Sequence, residues 1–135
     1  MIKTSFWIIS IFLLCISCSP EEDCEEKAFW EDCLIEEPTL GRLNVRVTTN
    51  AANPEVKIHI YAGDDFETGV LVIKDVLNEN VSYHLPFGDY SGTAVYYVGS
   101  DSLLAVDGDD ISKSLEEYCD IDCWEISEGN LDLTL

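Results

Sequence analysis

The side chains of this sequence that could do chemistry are few: six cysteines, two histidines, and acidic clusters around Gly63 and Gly108. His59 and His84 each fall on the outward phase of an alternating segment, where they could neighbour each other across a sheet and bind a metal; two solvated surface histidines is the plainer reading. Asp107, Asp109 and Asp110 around Gly108 could offer oxygen ligands to calcium. The run lacks the glycine and terminal glutamate positions of an EF-hand loop, so it reads equally as an acidic turn, and Asp64 and Asp65 beside Gly63 invite the same two readings. Cys119-Asp120-Ile121-Asp122-Cys123 has a C-x-x-x-C spacing that could contribute to a zinc site, with no histidine nearby to complete it. There is no G-x-S-x-G elbow, no H-E-x-x-H and no glycine-rich phosphate loop. The expectation is a chain without catalytic residues, cofactor or dedicated metal site.

Two of the cysteines have another use. Lys3 supplies a short positive start, and Phe6 to Ile16 (FWIISIFLLCI) form an apolar run too short to span a bilayer comfortably, the pattern of a signal peptide. Cys15-Ile16-Ser17-Cys18 then places a small residue directly before a cysteine. This resembles the lipobox of bacterial lipoproteins, with Cys15 standing where leucine is usual. The resemblance implies cleavage after Ser17 and lipid on the thiol of Cys18. Cys15 is the competing anchor, and the bulky Leu13 and Leu14 before it argue for Cys18. Each buried methylene contributes about 0.8 kcal/mol, so two or three acyl chains would hold stably without a membrane-spanning helix.

Ser19-Pro20-Glu21-Glu22-Asp23 follows directly, and an acidic cluster at that place resembles the surface-export signal of Bacteroidota lipoproteins. It implies an outer-membrane, outward-facing protein; a solvated acidic tether accounts for the same residues.

Removing the first 17 of 135 residues leaves 118, the size of one domain, with six basic against 27 acidic residues, a formal charge of −21. Nucleic acid is excluded as a partner, because binding it needs clustered Lys and Arg to displace phosphate counterions. With Cys15 in the leader and Cys18 lipidated, an even four thiols remain: Cys24, Cys33, Cys119 and Cys123. In an oxidising compartment that predicts two disulfides. Short loops favour Cys24 with Cys33 and Cys119 with Cys123, the alternatives crossing from the N-terminal segment to the C-terminal region.

These residues must be positioned by what surrounds them. Residues 18–39 are too acidic to supply a core and read as a tether, broken by Cys24, Phe29, Trp30 and Cys33. From Leu40 to the end, alternation with a period of two recurs, the mark of half-buried strands. Leu43, Val45 and Val47 lead through Asn50 to Pro54 into Val56, Ile58 and Ile60, predicting a hairpin. Val70 to Val76 is a continuous apolar strand, and Val81, Tyr83 and Leu85 make a fourth. Tyr90, Gly92, Ala94, Tyr96 and Val98 share one face of what reads as the longest strand, and Leu103 to Val106 follows. Asp107 to Glu117 is polar and reads as a loop with at most a short strand. Two last strands fit Cys123 to Ile126 and Leu131 to Leu135. The whole predicts an all-β, antiparallel β-sandwich of seven to eight strands over residues 40–135.

The run Tyr83-His84-Leu85-Pro86-Phe87-Gly88-Asp89-Tyr90 resembles the transthyretin-like, or carboxypeptidase-regulatory-like, β-sandwich, in which an apolar strand ends in Leu-Pro-x-Gly-x-Tyr. The His-centred site and C-terminal signature of transthyretin-family enzymes cannot be placed here, so the resemblance implies a fold and not a hydrolase.

Three classes of function fit. A surface module could bind a protein or glycan through a sheet face or exposed aromatics such as Phe29, Trp30, Tyr61, Tyr97, Tyr118 or Trp124. A structural envelope lipoprotein would need no ligand, and an enzyme would need a cleft with convergent polar groups. A contiguous apolar surface patch is the feature expected of the first.

Overall fold

The computed structural model describes residues 33–118 and 121–135. The leader, Cys15, Cys18, Cys24, Phe29, Trp30 and Cys119 lie outside them. The described chain is all β, in eight strands: β1 (Leu40–Val47), β2 (Val56–Ala62), β3 (Val70–Leu77), β4 (Val81–Pro86), β5 (Gly88–Val98), β6 (Asp101–Tyr118), β7 (Ile121–Ser127) and β8 (Gly129–Leu133). They form two sheets, ordered β4-β1-β8 and β3-β2-β5-β6-β7. The alternation is what sorts the residues: Leu43 and Val45 of β1, Ile58 and Ile60 of β2, Tyr96 of β5 and Leu131 and Leu133 of β8 are fully buried between the sheets. Each such side chain contributes about 1.5–3 kcal/mol by leaving water.

Three expectations change. β1 and β2 are not a hairpin, because β1 pairs with β4 and β8 while β2 pairs with β3 and β5. The Asn50–Pro54 turn instead carries the chain from one sheet to the other, held by the Asn50 side chain accepting the N–H groups of Ala52 and Asn53 at 2.9 and 2.8 Å. The sandwich is not purely antiparallel: β8 runs parallel to β1, with Val45 opposite Leu131. The longest strand is β6, at 18 residues, and it runs straight through the segment expected to be a loop. Its first part pairs with β5 as far as Ile111, and its second part pairs with β7. The apolar strand expected over Val70 to Val76 is present as β3, and it stands at a sheet edge, with Val70 69% exposed.

The Leu85–Tyr90 motif has a local cause. Gly88 adopts φ +144°, a conformation that L side chains avoid, and the Tyr90 hydroxyl donates to the Pro86 carbonyl at 2.7 Å, so the chain turns from β4 into β5 around a half-closed ring. Burial raises the Tyr90 phenol above its ordinary pKa. The core is tight beside it: a methyl on Gly92 would come within 2.8 Å of Leu131.

Cys33 is bonded to Cys123 of β7, with a Cα separation of 5.2 Å and 90 positions between them in sequence. This replaces the local pairings expected for both residues. The reason is visible in the backbone, where the Trp124 N–H donates to the Leu34 carbonyl at 2.9 Å, so residues 33 and 34 lie along the free edge of β7. Lys113 ties down the same segment, reaching Glu37 at 2.7 Å and sitting 4.8 Å and 5.1 Å from the ring centroids of Phe87 and Trp124.

Candidate functional site

The five-stranded sheet has one face on the core and one on solvent, and the register fixes what the solvent face carries. Val76, Lys57, Val95 and Leu104 form one row across β3, β2, β5 and β6; Lys74, His59, Thr93 and Val106 form the next; Leu71, Tyr61, Ser91 and Gly108 form a third. The outward residues of β5 are small, whereas those of β2 are long. The result is a trough over β5: Ser91 and Thr93 are only 2% and 4% exposed although they point away from the core. The Ser91 hydroxyl has no hydrogen-bond partner among the described residues.

Apolar side chains flank that trough. Leu71, Val76, Leu104 and Val106 are each about half exposed, and Tyr61 stands among them with its ring 6.4 Å from both His59 and Phe66. Exposed aliphatics scattered singly are ordinary; here Leu71 and Val76 stand on β3 and Leu104 and Val106 on β6, two apolar borders with β2 and β5 between them on the same face.

Charged residues gather at two places near this face. Lys57, His59 and Lys74 line a recess of about 570 Å³ between β2 and β3, with Asp75 also in its wall. Among the described residues, Arg42, Arg46 and Lys113 are ion-paired, to Glu128 (3.4 Å), Asp132 (3.5 Å) and Glu37 (2.7 Å), and Lys57 and Lys74 are not. Farther along the same face Asp89 stands directly opposite Asp110, and both join Asp64 in lining an acidic recess of about 320 Å³.

The residues singled out from sequence are dispersed. His59 lies in β2 and His84 in β4, which belong to different sheets, so they are not cross-strand neighbours. Asp107, Asp109 and Asp110 do not converge on a cation. Asp107 and Asp109 point toward β8, where their carboxylates accept the backbone N–H groups of Asp132 and Asn130, each at 2.7 Å, while Asp110 lies on the opposite phase of β6. No group of three or more His, Cys, Asp or Glu among the described residues is placed to hold a metal ion. Tyr97 is half exposed at the end of β5, its backbone bound on both sides by the Asn53 amide, and Trp124 lies beneath Lys113.

Sequence reasoning did not single out the face itself. A signal was present: Leu103 to Val106 and Val70 to Ile73 are apolar in both phases, which in a sandwich leaves one phase uncovered unless something else packs there. Comparison of the chain with family models, with curated proteins and with solved structures finds no match in any of the three.

Proposed function

We propose that this chain is a non-enzymatic binding module, held by lipid on Cys18 at the outer membrane, facing outward, and presenting the solvent face of its five-stranded sheet to a protein partner. The observation that carries this is the placing of half-exposed aliphatic pairs on one sheet face, Leu71 and Val76 of β3 and Leu104 and Val106 of β6, with Lys57 and Lys74 on the same face. Aliphatic side chains gain little against the flat, hydroxylated face of a sugar, whereas they suit a protein surface, so of protein and glycan the protein is favoured. The leader and the Cys15–Cys18 run support the anchor, and the acidic residues after Cys18 support the outward orientation. The Leu85–Tyr90 turn supports a domain of the transthyretin-like type.

In this reading the anchor and the face lie apart. Cys33, where the described chain begins, is tied to Cys123, opposite Glu116 of β6, ten positions beyond Val106 and so about 33 Å along the strand. A tether leaving from residue 33 therefore departs well away from the face.

The test is a photoreactive residue placed at Val106 of the full lipidated chain in intact cells, with Ser82, on the outer side of β4, as the control position. Protein adducts from position 106 and none from position 82 are the expected result. Adducts from neither position, or from both alike, would remove the basis for the proposal.

A further inference from the structure

A strand at the edge of a sheet carries unpaired backbone N–H and C=O groups, which pair with any extended chain unless something covers them. Among the described residues, three of the four sheet edges are partly covered or short. Along β8 the N–H groups of Asn130 and Asp132 are taken by the carboxylates of Asp109 and Asp107, along β7 the Trp124 N–H is taken by the Leu34 carbonyl, and β4 is six residues long and ends in Pro86. The fourth edge is β3, eight residues without proline or glycine, paired with β2 on one side alone. The register fixes which of its backbone groups are free. The N–H and carbonyl of Tyr97 both meet the Asn53 amide, just before β2, so the odd-numbered residues of β5 turn their backbone groups toward β2. Their partners in β2, Lys57 and His59, turn theirs back toward β5, which leaves the facing β3 residues, Val76 and Lys74, turned outward from the sheet. The Asp75 carboxylate accepts the Val76 N–H at 2.8 Å, in agreement with that direction. The N–H and carbonyl of Lys74 and the carbonyl of Val76 have no partner among the described residues.

We propose that the free edge of β3 takes up an extended segment of a protein partner as an added strand, and that this segment alternates aliphatic with acidic residues. The inference shares with the proposed function the reading of the chain as a protein-binding module and goes beyond it, using the edge of the sheet and not its face. The backbone of the segment pairs with the free groups of Lys74 and Val76. Side chains of a strand alternate between faces, so one set lies beside Lys74 on the solvent face and the other beside Ile73 on the core side. Lys74, and Lys57 one strand farther in, have no ion pair among the described residues of a chain with 27 acidic and seven basic residues, so carboxylates suit the first set. Ile73 is partly buried against the core, and aliphatic side chains of the added strand continue that layer. The same charges act against another occupant, the β3 edge of a second copy. An antiparallel two-fold through Lys74 sets that ammonium against its own copy, and one through Asp75 sets two carboxylates together.

The test uses the full lipidated chain in detergent micelles and two fluorescent peptides of about eight residues, one alternating valine with glutamate and the other valine with lysine. The glutamate peptide is expected to bind roughly tenfold or more tightly than the lysine peptide, and to slow amide exchange at Lys74 by about tenfold or more. Lys74→Glu keeps the backbone and should reverse the preference. Lys74→Pro removes the free N–H without touching a bond to β2, so it should abolish binding of both peptides while the chain still unfolds cooperatively in urea. Binding of neither peptide, equal binding of both, or exchange slowed at another strand instead of at Lys74 would overturn the added strand, as would a Lys74→Glu chain that still prefers glutamate. None of these results bears on the face, which stands or falls with the Val106 adducts. A chain without those adducts that still holds the glutamate peptide at Lys74 would lose the docking face and keep the edge.

Discussion

The Asp109 carboxylate of β6 accepts the backbone N–H of Asn130 in β8 at 2.7 Å. Asp107 does the same for Asp132, so an edge of the three-stranded sheet is finished by side chains from the other sheet. Charge-assisted hydrogen bonds of this kind contribute about 1.5–3 kcal/mol when dry and less where water can replace them. Replacing both aspartates with alanine should therefore cost about 2 kcal/mol in a urea titration, and asparagine, which keeps the acceptor, about half that. An unchanged midpoint for the double alanine variant would show that β8 needs no such support.

The Cys33–Cys123 bond closes a loop of about ninety residues. On the chain-entropy account its removal should cost roughly 4 kcal/mol, read as the difference in unfolding free energy between the wild type and a Cys33→Ser, Cys123→Ser chain. Peptide mapping without reductant should recover Cys33 joined to Cys123, and a peptide joining Cys24 to Cys33 would contradict the fold at residues 33 and 34.

The Tyr83 hydroxyl donates to Asp75 at 2.7 Å across the gap between β4 and β3. That hydrogen bond, with a second from the Val76 N–H, holds the Asp75 carboxyl below its ordinary pKa. Burial, then the adjacent carboxylate, pushes the Tyr83 phenol up. A depressed carboxyl contributes stability that is present above its unfolded pKa, near 3.9, and lost as pH falls through the folded value. A raised phenol contributes stability present below about pH 10 and lost as pH rises past it. The unfolding free energy of the wild type minus that of Tyr83→Phe should therefore be flat from about pH 5 to 9 and shrink on both sides. A difference independent of pH would mean that the pair does not form.

Tyr96 is fully buried, and its hydroxyl donates to the Leu133 carbonyl at 2.6 Å while accepting the Thr48 N–H at 2.9 Å. Tyr96→Phe keeps the ring but leaves both backbone groups unpaired. A loss of about 2 kcal/mol is expected by denaturant titration, several times what a phenol on the surface would cost.

The strands with one wet face were legible because burial writes itself as alternation, and Leu43, Val45, Val56, Ile58 and Tyr96 all lie where the pattern places them. What alternation hides is pairing. Nothing in Leu131 or Leu133 says that their strand lies parallel to β1, since that neighbour is some ninety residues away. β6 was obscured for a different reason: Asp107 and Asp109 occupy inward phases because the β8 edge needs acceptors there, and acids in core phases look like a loop. The candidate surface was hidden by its ordinariness. Lys57, Lys74, Val76 and Leu104 carry no motif, and only the register of β3, β2, β5 and β6 puts them on one face.

The bond between Cys33 and Cys123 also sets how the molecule would respond to being pulled. Tension applied between residue 33 and the C-terminus bypasses everything the bond encloses, so β1 to β6 bear no load along their own backbone. Only the twelve residues after Cys123 can pay out, about 40 Å of contour, before the covalent path is taut. An oxidised chain stretched this way would give up β8 and part of β7 and then stop, whereas a reduced one could unravel from end to end.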